Sequence, residues 1–166
     1  LNDWEQRVTV ISAAVGHEHG VLELELSSKN FGDHRIRSQH HDGRYDEAHR
    51  EVVEVRVTTI DSLISDIDRD NVFLWIDTQG YEGYVLLGAR NTLAANCPLV
   101  IEFWPYGMRR AGSFNILKEV LLSSPYSAFY DLSALNCIPV SLSEAALDDL
   151  YAELGEEGPY TDLLFI

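Results

Sequence analysis

The stretch FLWIDTQGYEGYVLLGARNTL, residues 73–93, carries the strongest structural signal in this chain. Its first four residues are an unbroken apolar run, as expected of a strand that is buried on both faces of a parallel sheet. Asp77 stops this run and Gly80 gives the backbone room to turn, after which apolar residues recur at helical spacing. The stretch therefore predicts a strand, a tight turn that carries an acid, and a helix.

Asp77 is the first candidate for a functional side chain. Ligands of open α/β sheets bind beyond the carboxyl ends of the strands, which is where this aspartate is expected to lie. Glu82 falls in the first turn of the predicted helix, where the helix dipole favours a carboxylate. Asp77 also has a purely structural alternative, in which it caps the helix by accepting amide hydrogen bonds around Gly80.

The remaining apolar patterns predict the other parts of an α/β domain. Alternating patterns at 21–26 and 53–57 predict an antiparallel pair over the open end of a sheet. Five runs are expected to form that sheet, with the first three strands parallel and one of the last two antiparallel: 8–15, 72–76, 99–104, 126–132 and 161–166.

Helices are predicted between these strands. The helix of the opening stretch should cover residues 81–96, since a proline follows it closely. Ser113 is expected to cap a second helix, and Ser141 with Glu144 fits a capping box for a third. Residues 105–110 are expected to form a loop.

The length, composition and charge limit the classes of protein to which this chain can belong. A length of 166 residues with 46% hydrophobic residues predicts one α/β domain, residues 1–166, with a single core. The formal net charge of −15 makes nucleic acid and anionic membranes poor partners, because such a surface repels phosphates. No apolar run approaches the ~20 residues of a membrane span, and no signal peptide is evident, which favours a cytoplasmic protein.

Cysteine and histidine patterns do not predict a metal site. Cys97 and Cys137 are isolated, so neither a disulfide framework nor a thiolate zinc site is expected. The polar stretch 27–51 lacks a spacing that would place two histidines on one helix face, and a solvated loop is the preferred interpretation. A substrate-facing histidine acting as a general base is the alternative; the candidates are His34, His40, His41 and His49.

The central stretch also carries a family resemblance. IDTQGYE at 76–82, followed by VLLG at 85–88, resembles the I-D-V-E-G-x-E…V-L-x-G signature of FkbM-type methyltransferases. The resemblance implies transfer of a methyl group from the cofactor S-adenosylmethionine, typically to a hydroxyl of a small molecule, sugar or natural product. Two positions depart from the signature. Thr78 stands for an apolar residue, and Gln79 stands for a glutamate, so position 79 lacks that charge.

The resemblance further implies a fold and a set of site residues. The fold would be a Rossmann-like methyltransferase sheet with parallel strands, an antiparallel C-terminal strand and helices on both faces. Catalytic side chains are implied at Asp77, Glu82 and Glu102, the last of which lies inside an apolar run and therefore needs a partner. The implied cofactor-binding residues are Ala14, Val15, Gly16, Asn30, Gly32 and Asp77, and no metal is implied.

Part of the family's cofactor site has no match in this sequence. Such enzymes hold the cofactor with a glycine-rich turn after the first strand and an acid after the second. Nothing between Leu1 and Val8 supplies either strand, so we expect the chain to be the C-terminal portion of the domain. The strand at 73–76 would then have an unpaired edge, to be covered by an upstream segment or by a second copy of the chain.

Two alternatives to an enzyme of this class stay open. A non-catalytic α/β module used for association is favoured by Gln79 and by the missing glycine turn. Half of a nicotinamide-dependent dehydrogenase shares the strand order but offers no matching signature. The preserved Asp77-x-x-Gly80-x-Glu82 pattern favours the methyltransferase.

Overall fold

The computed structural model describes residues 7–39, 43–64, 71–136 and 138–166, which form two β-sheets and six α-helices. The strands of the first sheet, here called the small sheet, are β1 (Ala14–Val15), β2 (Gly20–Leu26), β3 (Arg35–Ile36) and β4 (Glu51–Thr58). Those of the second, the large sheet, are β5 (Leu74–Ile76), β6 (Leu99–Phe103), β7 (Ala128–Asp131), β8 (Val140–Ser141) and β9 (Thr161–Phe165).

The described α-helices all follow β4 in the chain. They are α1 (Ile60–Leu63), α2 (Glu82–Leu87), α3 (Arg90–Leu93), α4 (Pro105–Ala111), α5 (Phe114–Ser123) and α6 (Glu144–Leu154), and a 3₁₀ turn covers Glu47–His49. Among the described residues, no helix has both the length and the apolar character needed to cross a bilayer.

The large sheet has the order β5-β6-β9-β7-β8. β5 and β6 are parallel, with Leu74 opposite Leu99, and β9 runs antiparallel to both β6 and β7. The predicted α/β fold with an antiparallel strand near the C-terminus is therefore confirmed. The small sheet has the order β1-β4-β2-β3, and its β2–β4 pair is antiparallel, as the alternating patterns predicted.

The core lies between one face of the large sheet and the helices α2, α5 and α6. Alternate residues of the strands, such as Ile76 and Ile101, point into it together with Leu86, Leu117 and Leu147. Their spacing of two in the strands and of three or four in the helices gives each element one apolar face. Burial of these faces against each other fixes the carboxyl ends of β5 and β6 side by side.

The prediction for residues 8–15 is wrong in extent and in partner. Only Ala14–Val15 forms a strand, and it pairs in parallel with β4 of the small sheet instead of joining β5. Val10 is 87% exposed, so the apolar run does not mark a buried strand. A strand needs a neighbour to accept its ladder of hydrogen bonds, and β-propensity alone does not provide one.

The prediction that the first strand of the opening stretch is buried on both faces is also wrong. Leu74 and Ile76 are buried, whereas Phe73 and Trp75 are 54% and 61% exposed. β5 lies at the edge of the large sheet, which agrees with the expected unpaired edge. The apolar side chains of Phe73 and Trp75, on the other face, are left largely uncovered by the described residues.

Three helix predictions need correction. The helix expected over 81–96 is divided into α2 and α3 at Gly88, where the backbone of Gly16 approaches so closely that a Cβ would lie 2.1 Å from its carbonyl oxygen. Residues 105–110, expected to be a loop, form α4, because proline is well tolerated in a first helical turn. The cap of α6 is Ser143, whose hydroxyl accepts from the Ala146 amide, and not Ser141.

Candidate functional site

The turn after β5 is held together by Glu82. Its Oε1 accepts hydrogen bonds from the Thr78 amide (2.8 Å), the Thr78 hydroxyl (3.0 Å) and the Gly80 amide (3.2 Å). Complete burial raises the pKa of Glu82 to about 7, and these hydrogen bonds oppose the rise. The structure thus places this predicted catalytic residue inside the turn, where it fixes the backbone beside Asp77. The Thr78 hydroxyl, which the apolar residue of the family signature would lack, is one of these donors.

A single amide group connects the other two predicted catalytic acids. Gln79 Nε2 donates to Asp77 Oδ1 at 2.8 Å and to Glu102 Oε2 at 3.2 Å. Gln79 has a left-handed backbone with φ of 57°, which turns its side chain towards the end of β6. The amide hydrogen bonds around Gly80 are accepted by Glu82, so the structure does not support the helix-capping alternative for Asp77.

Glu102 lies in an acidic environment. It is 4% exposed, and burial, with further contributions from Asp77, Glu82 and Asp162, raises the pKa of Glu102 to about 8. The Gln79 hydrogen bond opposes this rise. A carboxyl with such a pKa carries its proton at neutral pH and is then a hydrogen-bond donor as well as an acceptor.

Two cavities meet at Asp77. The first, here called the Ala14 cavity, has a volume of about 490 Å³, and its lining includes Ala14, Val15, Ile36, Arg56, Asp77 and Tyr81. The second, called the Trp75 cavity, has a volume of about 660 Å³, and its lining includes Trp75, Asp77, Gln79, Glu102, Trp104 and Tyr160. Both volumes fall within the range of small-molecule sites. Asp77 borders both cavities and is exposed.

The predicted cofactor-binding residues divide between these cavities. Ala14 and Val15 line the Ala14 cavity, whereas Asn30 and Gly32 line the Trp75 cavity. Gly16 is buried beside β4, where its amide donates to the Thr58 carbonyl at 2.9 Å. The structure therefore does not bring the predicted cofactor-binding residues together in one cavity, and their role stays a prediction.

Buried charges that no sequence pattern predicted hold the described residues of the stretch 27–51 in place. Glu47 has a fully buried side chain that pairs with Arg35 at 3.1 Å and accepts the Tyr106 hydroxyl at 2.6 Å. Arg110 lies 3.6 Å from the same carboxylate. Because Tyr106 and Arg110 belong to α4, this network attaches Arg35 and Glu47 to that helix, beside the Trp75 cavity. No local pattern marks partners that are so far apart in sequence.

The histidines give no support for a metal. His34 borders the Ala14 cavity, and its Nδ1 accepts the Ser27 amide at 3.0 Å. His49 contacts Asp46 at 2.7 Å, while His40, His41 and also Cys137 lie outside the described residues. In the described part of the chain, no three His, Cys, Asp or Glu side chains are placed to hold a metal ion.

The raised pKa of Glu102 predicts a dependence of stability on pH. Its folded-state pKa of about 8 exceeds the ordinary value of 4.5, so the folded state holds the proton more tightly. The free energy of unfolding should therefore fall as pH rises from 4.5 to about 8. Glu102→Gln removes the part of this fall that comes from Glu102 and leaves the part that comes from Glu82, whose pKa is raised to about 7. We therefore expect the stability of Glu102→Gln relative to the parent to grow with pH, by the order of a few kcal/mol at alkaline pH.

Urea unfolding of both proteins across this pH window checks the prediction. Glu51→Gln, at an exposed position of β4, is the matched control and should follow the parent curve. If the free energies of unfolding of Glu102→Gln and the parent differed by the same amount at all pH values, the raised pKa of Glu102 would be contradicted.

Comparison with known families agrees with the geometry. The profile described as the Methyltransferase FkbM domain matches residues 2–122, which include β1, the turn after β5 and Glu102. A search of curated proteins and a search of solved structures each found no match. Because the matched region covers well over half of the chain, the protein belongs to the FkbM methyltransferase family.

Proposed function

We propose that this chain carries the acceptor side and part of the cofactor side of an S-adenosylmethionine-dependent O-methyltransferase. The observation that carries the proposal is the position of Asp77 at the junction of two cavities of different character. One cavity has small apolar side chains at the end of β1, and the other is lined by aromatic and acidic groups. A reaction that joins two ligands needs such a junction, with the reacting atoms held in line.

The residues of the Ala14 cavity fit the cofactor. Ala14 and Val15 offer a small apolar wall for a flat heterocycle, and the Asp77 carboxylate offers a partner for a positive charge. When bound, S-adenosylmethionine supplies an electrophilic methyl group on a positively charged sulfur. Ala14, Val15, Asp77 and Tyr81 are the residues proposed to hold it.

The residues of the Trp75 cavity are proposed to prepare the acceptor. Asp77 accepts the proton of the acceptor hydroxyl, which makes the oxygen a better nucleophile. Gln79 holds the Asp77 carboxylate through its 2.8 Å hydrogen bond and so acts as a positioning residue. Glu102, protonated at neutral pH, is placed to donate a hydrogen bond into the same cavity.

The proposed active domain includes a segment upstream of this chain. β5 is an edge strand, and its Phe73 and Trp75 face is uncovered. An upstream strand paired with this edge would satisfy its backbone groups and would bring the glycine turn next to the Ala14 cavity. The chain by itself is then expected to bind S-adenosylmethionine weakly.

Calorimetry tests this assignment directly. We expect the isolated chain to show a dissociation constant well above the micromolar range, which corresponds to about −8 kcal/mol. The full-length protein should bind more tightly, and Ala14→Phe, which fills the Ala14 cavity, should weaken that binding about tenfold or more. Ala152→Phe, at an exposed position of α6, is the matched control and should leave binding unchanged.

Tight binding of S-adenosylmethionine by the isolated chain would contradict the proposal that an upstream segment contributes to the cofactor site. If Ala14→Phe and the parent bound S-adenosylmethionine equally well, the proposal that the cofactor binds in the Ala14 cavity would be wrong.

A non-catalytic association module is the second candidate function. The observation that favours it is the open edge of β5, with the exposed Trp75 beside it. Such a module predicts dimerisation of the full-length protein through this edge and no binding of S-adenosylmethionine. Sedimentation and calorimetry on one sample separate the two candidates.

A further inference from the structure

We propose that Tyr106 is a positioning residue for the methyl acceptor, because its hydroxyl holds one part of the wall of the Trp75 cavity. This inference rests on the proposed function, in which the acceptor occupies that cavity. Tyr106 is not among the described residues that line the cavity, whereas Arg44, Tyr45 and Asp46 are. The tyrosine therefore acts through these three residues and without contact with the acceptor.

The Tyr106 hydroxyl makes two hydrogen bonds at once. It donates to Glu47 Oε1 at 2.6 Å and accepts from the Arg44 amide at 3.1 Å. A phenol has one proton to donate and lone pairs to accept, so the two bonds do not compete. Burial, with the hydrogen bond to Glu47, raises the pKa of Tyr106, so the hydroxyl keeps its proton at neutral pH. Helix α4 is thus linked to residues 44–47 by one neutral group.

Side-chain hydrogen bonds hold this part of the wall. Arg44 and Tyr45 belong to no helix or strand. The Tyr45 amide donates to Glu47 Oε2 at 2.8 Å, and Arg50 donates to the Tyr45 carbonyl at 3.1 Å. A turn that is held in this way opens more easily than a helix or strand, so the loss of the Tyr106 hydroxyl should free it.

The ring of Tyr106 packs against the same wall. Its centre lies 5.2 Å from that of Tyr45 and 5.2 Å from that of Trp104, and both of these residues line the cavity. A phenylalanine keeps an aromatic ring in this place but has no hydroxyl. Tyr106→Phe therefore separates the hydrogen bonds from the aromatic packing.

The position of this wall bears on the reaction because Asp77 lines the same cavity. Asp77 follows β5, while residues 44–46 belong to the stretch that the Tyr106 hydroxyl links to α4. An acceptor that contacts both is placed by the wall relative to the Asp77 carboxylate, and a displacement of about 1 Å can lower a rate on the order of a hundredfold. Residues 44–46 do not line the Ala14 cavity, so cofactor binding there should not change.

Tyr126→Phe is the matched control. The Tyr126 hydroxyl is also buried, and it donates to the Cys97 carbonyl at 2.7 Å. Tyr126 belongs to the core and lines neither the Trp75 cavity nor the Ala14 cavity. Because each variant loses one buried hydroxyl, a difference between them reports on the wall and not on a general loss of stability.

Hydrogen–deuterium exchange on the full-length protein tests the structural step. We expect the Arg44 and Tyr45 amides to exchange about tenfold faster in Tyr106→Phe than in the parent, and at the parent rate in Tyr126→Phe. Unchanged exchange in Tyr106→Phe overturns the proposal, because the wall would not depend on the hydroxyl. Failure of Tyr106→Phe to fold, when Tyr126→Phe folds, also overturns it, since the hydroxyl would then support the whole fold.

Methyl transfer from labelled S-adenosylmethionine by the full-length protein tests the functional step. The probe acceptors are a panel of alkyl alcohols, phenols and methyl glycosides. For each probe that the parent methylates, we expect Tyr106→Phe to lower kcat/KM about tenfold with a higher KM, while the Kd of S-adenosylmethionine stays unchanged. A loss of folded protein would lower kcat alone. Tyr126→Phe should keep the parent KM and Kd.

The outcomes keep this inference apart from the proposed function. A parent-like KM in Tyr106→Phe overturns the positioning role, while transfer by the parent leaves the methyltransferase intact. Absence of S-adenosylmethionine binding to the full-length protein, or of transfer to every probe, overturns the proposed function and with it a positioning role for Tyr106. Faster exchange of the two amides together with a raised KM supports both.

Discussion

Replacing Asp77 with asparagine is expected to lower the rate of methyl transfer about a hundredfold or more. Asparagine keeps the shape of the side chain and its hydrogen-bond acceptor towards Gln79, but it loses the charge and the basicity that the reaction needs. The fold should be unaffected, because the turn is held by Glu82 and not by Asp77. The change therefore separates a chemical role from a structural one.

Single-turnover assays with labelled S-adenosylmethionine on the full-length protein measure this effect. Thermal unfolding of the same samples should show no change in midpoint beyond that of Asp149→Asn. Asp149 is exposed on α6 and lines neither the Ala14 cavity nor the Trp75 cavity, so its variant should keep the parent rate. A rate for Asp77→Asn within a few-fold of the parent would exclude the general-base role.

Replacing Gly80 with alanine is expected to cost about 3 kcal/mol or more of folding stability. Gly80 has a φ of +101°, and a Cβ at this position would lie 2.2 Å from the carbonyl carbon of Gly107 in α4. That contact is with backbone, so neither partner moves aside without shifting β5 or α4. The Ser113 hydroxyl, which donates to the Gly80 carbonyl at 2.6 Å, holds the turn in the same place.

Urea unfolding with Gly112→Ala as the matched control checks this effect. Gly112 also has a positive φ, +68°, but a Cβ there would meet nothing within 4 Å. It should cost only the left-handed backbone penalty, about 1 kcal/mol. If Gly80→Ala and Gly112→Ala lost the same free energy of unfolding, the close approach of Gly80 to α4 would be unimportant for stability.

Local sequence signals were enough to predict several elements of the fold. The apolar run ending at Asp77 gave a strand followed by a turn, and the change of period after Gly80 gave a helix. The alternating runs gave the β2–β4 pair. These predictions succeed because a strand or a helix buries one face, and the spacing of apolar residues along the chain records that face directly.

The sequence also identified Asp77 and Glu102 as candidates, and their roles stay predictions. What it could not provide was their connection, since Gln79 reaches Glu102 across 23 residues of sequence. Gln79 was visible only as a departure from the family signature, although it lies between the two acids.

The assembly of the site depends on contacts between segments that are distant in sequence. The packing against α4 explains why position 80 needs glycine. The hydrogen bond between Glu47 and Tyr106, which are 59 residues apart, holds residues 44–47 beside the Trp75 cavity. The exposure of Trp75 and of residue Val10 depends on which strands lie next to them, not on their own hydrophobicity. Cavities, buried charge pairs and shifted pKa values arise from contacts between distant segments, so periodicity along a single segment carries no record of them.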